Sequence, residues 1–337
     1  CEKVWISSIG CAEEEQVGKL TTGFGAKVRG PKIGPEFTFG IYMQKLLDEP
    51  ILIIKTALGG KSLNTDFPPP SAGPYKFNDV QLEMFKKQGK DINKVNADKA
   101  KVTGHYYSLM IEHVKKVLAD IKRVCPEYDP KDGYELAGFV WFQGWNDMCN
   151  RHHIDQYTEN MIHFISDVRK EFDKPTLPFI IGILGVYGTD PDSRKFDKSL
   201  PVTDFRRAQF AAVELYDLKA EKSYRGNVIG VDSGPYYELK LSDIYWKQRL
   251  NNEWKHRVSQ GKMTFEEAQE ERSRYGFTEE GLTAQEQRTW DRCASNAEYH
   301  YLGSGKTFIR FGKALAEAML EMESENAIYV AKNGKDS

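Results

Sequence analysis

The sequence predicts an α/β protein, a three-layer αβα sandwich around a doubly wound parallel sheet. Two observations carry this. Four short runs are apolar on both parities and bounded by turn residues, as strands buried on both faces must be. Between them lie segments whose apolar residues recur at three and four positions, so strand and helix alternate along the chain. A strand–helix–strand order of this kind favours parallel pairing with right-handed crossovers. No repeat of 20 to 50 residues and no low-complexity tract interrupts it, which excludes solenoids and propellers.

The four expected strands are Ile51 to Lys55, Ala137 to Phe142, Phe179 to Leu184 and Asn227 to Val231. Residues 66 to 75 carry four prolines in ten positions, which fix φ and remove donors, so this stretch is read as a loop near the carboxyl edge of the sheet. A helix follows, with Tyr107, Met110, Ile111, Val114, Val117, Leu118 and Ile121 on one stripe. After the second strand comes another, marked by Tyr157, Met161, Phe164, Val168 and Phe172, and a third begins after Asp204. Residues 239 to 292 are densely charged and hold two capping-box patterns, Thr264 to Glu267 and Thr283 to Glu286. They are read as an inserted helical flap on a single domain spanning 1–337, more simply a solvated helical surface than a substrate lid. The terminal helix presents Phe308, Phe311, Leu315, Met319 and Met322 on one face.

Composition bounds the function. With 337 residues, 40% hydrophobic and 28% charged, the chain is an ordinary packed protein and not a disordered or fibrous one. Its 47 basic and 49 acidic residues nearly cancel, so no bulk field draws it to nucleic acid or to anionic lipid. No apolar run approaches the length of a membrane span. Five scattered cysteines, with neither CxxC nor Cys/His zinc spacing, point to no disulfide scaffold and no metal site, and leave the redox compartment open.

In an open parallel sheet, ligands gather beyond the carboxyl ends of the strands. After the first expected strand stands Leu58-Gly59-Gly60-Lys61-Ser62, where paired glycines let backbone N–H groups approach a ligand; the spacing is not that of a phosphate loop. After the second comes Trp141-Phe142-Gln143-Gly144-Trp145-Asn146-Asp147. A neutral amide there suits donation to a developing oxyanion. Near the C-terminus Tyr299-His300-Tyr301-Leu302-Gly303 forms a loop from which a general base can reach across the site. The other six histidines are assigned to structure or surface: His105, His113, His163 and His256 lie in helical patterns, and His152 and His153 are adjacent.

Taken in order, Gly34-Pro35-Glu36 with Phe39-Gly40, Ile53 to Lys55 through Gly59-Gly60-Lys61-Ser62, Trp141-Phe142-Gln143-Gly144, Arg207-Ala208-Gln209 and His300-Tyr301 resemble the sialate O-acetylesterase domain. That domain belongs to the SGNH hydrolase superfamily and overlaps carbohydrate esterase family 6. The resemblance runs from about residue 22 to 321, leaving out the flap. It implies cofactor-free serine hydrolysis of acetylated sugars, with His300 as base and Gln143 and Gly60, or else Gly59, as oxyanion donors. An acyl-transfer site needs just such a base and converging donors beside a nucleophile. Trp145, an aromatic able to stack on a sugar face, and Asp147 are taken as substrate-binding residues, and the resemblance implies a secreted or periplasmic setting.

The chain departs from the family at three places. The nucleophilic Gly-Gln-Ser block is absent from the sequence, and the family places it before the region where residue 1 lies; Ser7 and Ser8 lack its glycine spacing. Ala297 stands where many members carry an acid, which leaves Glu298 or a backbone carbonyl to orient the imidazole. The block Gln-Gly-Glu-Ser-Asp reads Gln-Gly-Trp-Asn-Asp, retaining Asp147. The expectation is therefore an acetylesterase domain lacking its first strand and nucleophile loop, with a groove where that strand belongs. The alternative is a catalytically silent glycan-binding domain whose Trp145 and Tyr187 stack on sugars. Which sugar, which acetyl position and which oligomeric state the sequence leaves open.

Overall fold

The computed structural model describes residues 2–26, 30–219, 227–278 and 281–333. The chain opens with a hairpin of β1 (Val4–Ile9) and β2 (Gln16–Lys19), then α1 (Pro35–Leu47) and β3 (Ile51–Thr56). β1 pairs antiparallel with β2, placing Trp5 opposite Lys19, and parallel with β3, placing Val4 opposite Ile51. Two surface helices, α2 (Asp79–Lys87) and α3 (Ile92–Val102), lead into α4 (His105–Ala119). The second half follows as β4 (Phe139–Trp141), α5 (Trp145–Met148), α6 (Arg151–Glu171), β5 (Phe179–Ile183), α7 (Val202–Lys219) and β6 (Val228–Asp232). Its strands pair in parallel, Phe139 with Phe179 and Phe179 with Val228. Then come α8 (Leu239–Ser259), α9 (Phe265–Arg274), α10 (Ala284–Cys293) and α11 (Gly305–Asn333).

Helices cover both faces, the αβα arrangement the alternating pattern implied. Alternate residues of β5 show it: Ile180 packs with Phe311, Leu315 and Met319 of α11, whereas Phe179, Ile181 and Ile183 join Tyr157, Met161 and Phe164 of α6 and Phe205 of α7. α1 lies beside α11 on the first face. Gly312 brings the two together, since a Cβ there would collide with the Pro35 carbonyl oxygen.

The sheet comes in two halves. β2-β1-β3 and β4-β5-β6 are separate three-stranded units, and among the described residues no backbone bond joins β3 to β4. Between them runs a cleft of about 2870 Å³, walled by Phe39, Met43 and Met319 on one face and by Met110, Val114 and Leu118 on the other. In consequence every residue of β3 is half-buried, while the equally apolar β5 is wholly buried.

The elements not expected from the sequence are β1, β2, α1, the surface helices α2 and α3, and the single turn α5. β1 reads Val-Trp-Ile-Ser-Ser-Ile, and its serines, both buried, disguise an inner strand. β2 is four residues of alternating exposure, an edge too short to carry a pattern. α1 contacts sheet, α11 and hairpin at once, so apolar residues ring it and no stripe stands out. In the flap both capping boxes form. Its helices are also docked: Trp246 stacks on Phe196 at 5.7 Å, and Phe196 in turn meets Tyr275 and Phe277. No helix among the described residues is long and apolar enough to cross a membrane.

Candidate active site

The carboxyl ends of β3 and β4 open into one end of the cleft, and Gly59, Gly60, Gln143, Trp145 and His300 all line it. The turn after β3 places Gly60 at φ +70°, a left-handed conformation that costs a glycine little, with open space where a side chain would stand. No described residue accepts from the N–H of Gly59 or Gly60. Both amides are exposed and available as donors.

Gln143 is held more tightly. Its Nε2 donates to the Lys61 carbonyl at 2.9 Å and to Asp147 Oδ2 at 2.6 Å, which occupies both hydrogens of the amide, and its Oε1 is buried without a partner. Donation to an oxyanion therefore requires one of these two bonds to be exchanged. Asp147, expected beside the substrate, has no exposed surface. Its carboxylate accepts from Leu63 N–H at 2.8 Å, Asn64 N–H at 3.1 Å and Gln143, so it ties the loop after β3 to the end of β4. Complete burial pushes its pKa up to about 6 against the pull of those three donors.

His300 sits in a 3₁₀ turn, Glu298–Gly303, whose next residues are unusual: Tyr301 and Leu302 are left-handed at φ 51° and 59°, and Gly303 follows at 62°. Such a run is strained for side-chain-bearing residues and persists only when packing fixes it. Here Leu302 is fully buried and its carbonyl accepts from Ser295 and Asn296. The Tyr301 hydroxyl accepts from Gly185 N–H at 2.9 Å and bonds Ser233 Oγ at 2.7 Å, anchoring the loop to the ends of β5 and β6. The imidazole of His300 is exposed toward the cleft, beside the Tyr299 ring. Its pKa is lowered, first by partial desolvation there and then by Lys32, so it is neutral and able to accept a proton at pH 7.

Glu298 lies apart from that imidazole. Its Oε1 accepts from Arg249 of α8 at 3.2 Å, and no hydrogen bond joins it to His300. Residues two apart in a 3₁₀ turn point in different directions, which sequence proximity does not reveal. Among the described residues, no carboxylate bonds the His300 ring.

Ser7, Ser8 and Ser62 are placed for structure. Ser7 donates to Glu15 Oε1 at 2.7 Å, which obliges His113 Nε2, 2.9 Å away, to donate to the Ser7 oxygen and not to take its proton. Ser7 and Ser8 are also buried within β1. Ser62 is buried, donates to Asp66 Oδ2 at 2.9 Å and accepts from Thr65 N–H.

Two supports lie beneath the site. Gln209, part of the sequence block without an assigned task, is fully buried; its Oε1 accepts from Leu184 N–H at 2.8 Å, and its Nε2 points to the carbonyls of Gln143 and Gly182. It thus braces the ends of β4 and β5. Lys55 and Glu36, from two other blocks, form a 2.8 Å ion pair at the cleft wall, each side chain 12% exposed. At the mouth Trp145 meets Tyr299 at 5.6 Å. Tyr187, expected to stack on sugar in the binding reading, is buried at 3% exposure and unavailable.

The parallel α/β scaffold thus gathers a neutral histidine, backbone donors and a braced amide beyond its strand ends, where ligands of such sheets bind. The family described as carbohydrate esterase, sialic acid-specific acetylesterase matches residues 19–223, well over half of the chain, and the chain belongs to it. Among solved structures, an Arabidopsis thaliana protein is similar at 17% identity and TM-score 0.38, over 68% of this chain and 68% of that one. A carbohydrate acetylesterase from Xanthomonas citri is similar at 15% identity and TM-score 0.40, over 69% of this chain and 43% of its own. No curated protein matches.

Proposed function

We propose that this chain belongs to a carbohydrate O-acetylesterase that removes acetyl groups from sugars by serine ester hydrolysis. The family match over residues 19–223 carries the reading, and the gathering of His300, Gly60, Gly59 and Gln143 on one cleft supports it. In the proposed cycle a serine not among residues 1–337 attacks the acetyl carbonyl while His300 takes its proton. The oxyanion is received by the Gly60 N–H, with Gly59 as the alternative donor, and by Gln143 once its bond to Lys61 is exchanged. His300 then gives the proton to the sugar oxygen as its bond to the acetyl carbon breaks, releasing the sugar hydroxyl, and water repeats the sequence on the acyl-enzyme to release acetate and restore the serine. Trp145, with Tyr299, offers an aromatic face for the sugar. Glu298 holds the loop through Arg249, so a backbone carbonyl or water is the remaining orienter of the imidazole.

The test is fluorophosphonate labelling with acetyl release from acetylated xylan and O-acetyl sialic acid. The 337-residue chain should neither label nor release acetate, because the residual catalysis of a site lacking its nucleophile is about 10³ to 10⁴ over water. An N-terminally extended form should do both, and His300→Ala in it should abolish both. Labelling of the 337-residue chain at Ser7, Ser8 or Ser62 would overturn the assignment. Sugar binding by an extended form that never hydrolyses would favour a silent glycan-binding domain.

A further inference from the structure

We infer that the helical hairpin of α2 and α3 is an interfacial docking surface that seats on an anionic lipid headgroup layer. The chain as a whole has a formal charge of −2, yet residues 76–101 hold seven lysines against four carboxylates. Two of those carboxylates are engaged within the hairpin: Asp91 caps α3 by accepting from the Asn93 and Lys94 amides, and Asp98 pairs with Lys101. Lys86, Lys87, Lys90 and Lys94 are exposed, and among the described residues none of them is in a salt bridge. A local basic field thus stands on a chain whose bulk charge nearly cancels.

The hairpin also turns apolar surface outward. No residue of either helix is buried, so neither gains the tertiary packing on which short helices depend in water. Caps hold them instead, the Asn78–Gln81 box on α2 and Asp91 on α3. Positions 80, 84 and 87 share one face of α2, which sets Val80, 76% exposed, and Met84, 45% exposed, in a row with Lys87. Asp79 and Glu83 flank this row and leave it a surplus of cations. The opposite side is closed by rings: Tyr75, Phe77 and Phe85 meet edge to face at 4.9 and 5.1 Å. Lys99 fixes the base, donating to Thr65 Oγ1 at 2.9 Å from above the Tyr75 ring.

This pattern selects the partner. Aliphatic side chains ringed by lysines enter the boundary between headgroups and acyl chains, and each lysine near an anionic leaflet adds about fivefold in affinity. A glycan or a single-stranded nucleic acid asks for open aromatic faces. The rings of the hairpin are half-buried against one another, and Lys90 lies over Phe85 at 5.1 Å. With two aliphatic side chains to insert, the contact is shallow and reversible.

The test is co-sedimentation of the 337-residue chain with vesicles of phosphatidylcholine, alone or mixed with phosphatidylglycerol. Binding is expected to the anionic vesicles alone and should fall as salt is raised. Lys87→Gln with Lys90→Gln should weaken it by about twenty-five-fold, fivefold for each charge. Val80→Ser with Met84→Ser should weaken it by about tenfold. Lys255→Gln with Arg257→Gln, which removes two exposed cations from the end of α8, should leave it unchanged. All six positions are exposed, so the fold is common to every variant. Failure to sediment with anionic vesicles at low salt overturns the proposal, as does equal binding to both vesicle types or an equal loss from the α8 pair. Retention on polygalacturonate that the hairpin variants abolish, without vesicle binding, overturns it in favour of an acidic glycan. A concentration-dependent dimer broken by the same variants, again without vesicle binding, overturns it in favour of a second copy of the chain.

Discussion

Replacing Asp147 by asparagine separates the two opposing effects that meet at this carboxylate. Its complete burial raises the pKa from 3.8 to about 6, so the folded state takes up a proton more readily than the unfolded state. The stability this side chain gives is therefore fully present below pH 3.8 and is lost as pH rises through about 6. Integrated between pH 5 and pH 8, the loss in the native protein is about 1.4 kcal/mol, and the whole shift is worth about 3 kcal/mol. An amide at position 147 carries no such penalty. It keeps one oxygen for Leu63 and Gln143 but turns an NH₂ toward the Asn64 N–H, at a pH-independent cost of about 1–3 kcal/mol. His153 lies 3.9 Å away, but burial holds its pKa at about 4, so it stays neutral throughout this window. Urea unfolding at the two pH values should show the deficit of Asp147→Asn shrinking by about 1.4 kcal/mol, tenfold in the folding equilibrium, from pH 5 to pH 8. A deficit that is constant or grows with pH would refute the assignment of burial as the governing effect.

Other substitutions test the packing and the histidine loop. Gly312→Ala drives a methyl group into the Pro35 carbonyl and should destabilise by about 1–3 kcal/mol in thermal unfolding; an unchanged midpoint would mean that α1 and α11 are not in close contact. Tyr301→Phe strips Gly185 N–H of its acceptor, an expected loss of about 1–3 kcal/mol, and the Gly185 amide should exchange faster, with unaltered exchange counting against the anchor. Glu298→Gln should leave the NMR titration of His300 in place, since the carboxylate is bonded to Arg249; a shift of a full pH unit would restore it as the partner of the imidazole.

What the sequence disclosed and what it hid divide along physical lines. β3 to β6 were legible because strands buried on both faces must be apolar on both parities, whereas β1 escaped because Ser7 finds its partners in Glu15 and His113, more than a hundred residues apart in the second case. The site residues were visible as residue types after strand ends. Their bonding was not: nothing in Gln-Gly-Trp-Asn-Asp says that the aspartate spends its charge on the glutamine four residues earlier and on two backbone amides of the loop after β3. Likewise the flap announced its helices through Thr264 and Thr283, but not that Trp246 would seat it against Phe196.

The two half-sheets are drawn from separate, contiguous stretches, residues 4–56 and 139–232. Each can thus assemble from local contacts as it leaves the ribosome, with little loop entropy to overcome. The helix that packs on Ile180 in the second half and presses on α1 in the first is α11, the last element made. Until synthesis reaches it, the inner edges of β3 and β4 stand uncovered on that face while more than 160 residues, from Trp141 to Gly305, are translated, roughly 8–30 seconds at ordinary elongation rates. That interval, more than the finished structure, is when the chain is most exposed to pairing with a neighbour, and a chaperone or slower growth temperature would act on yield there.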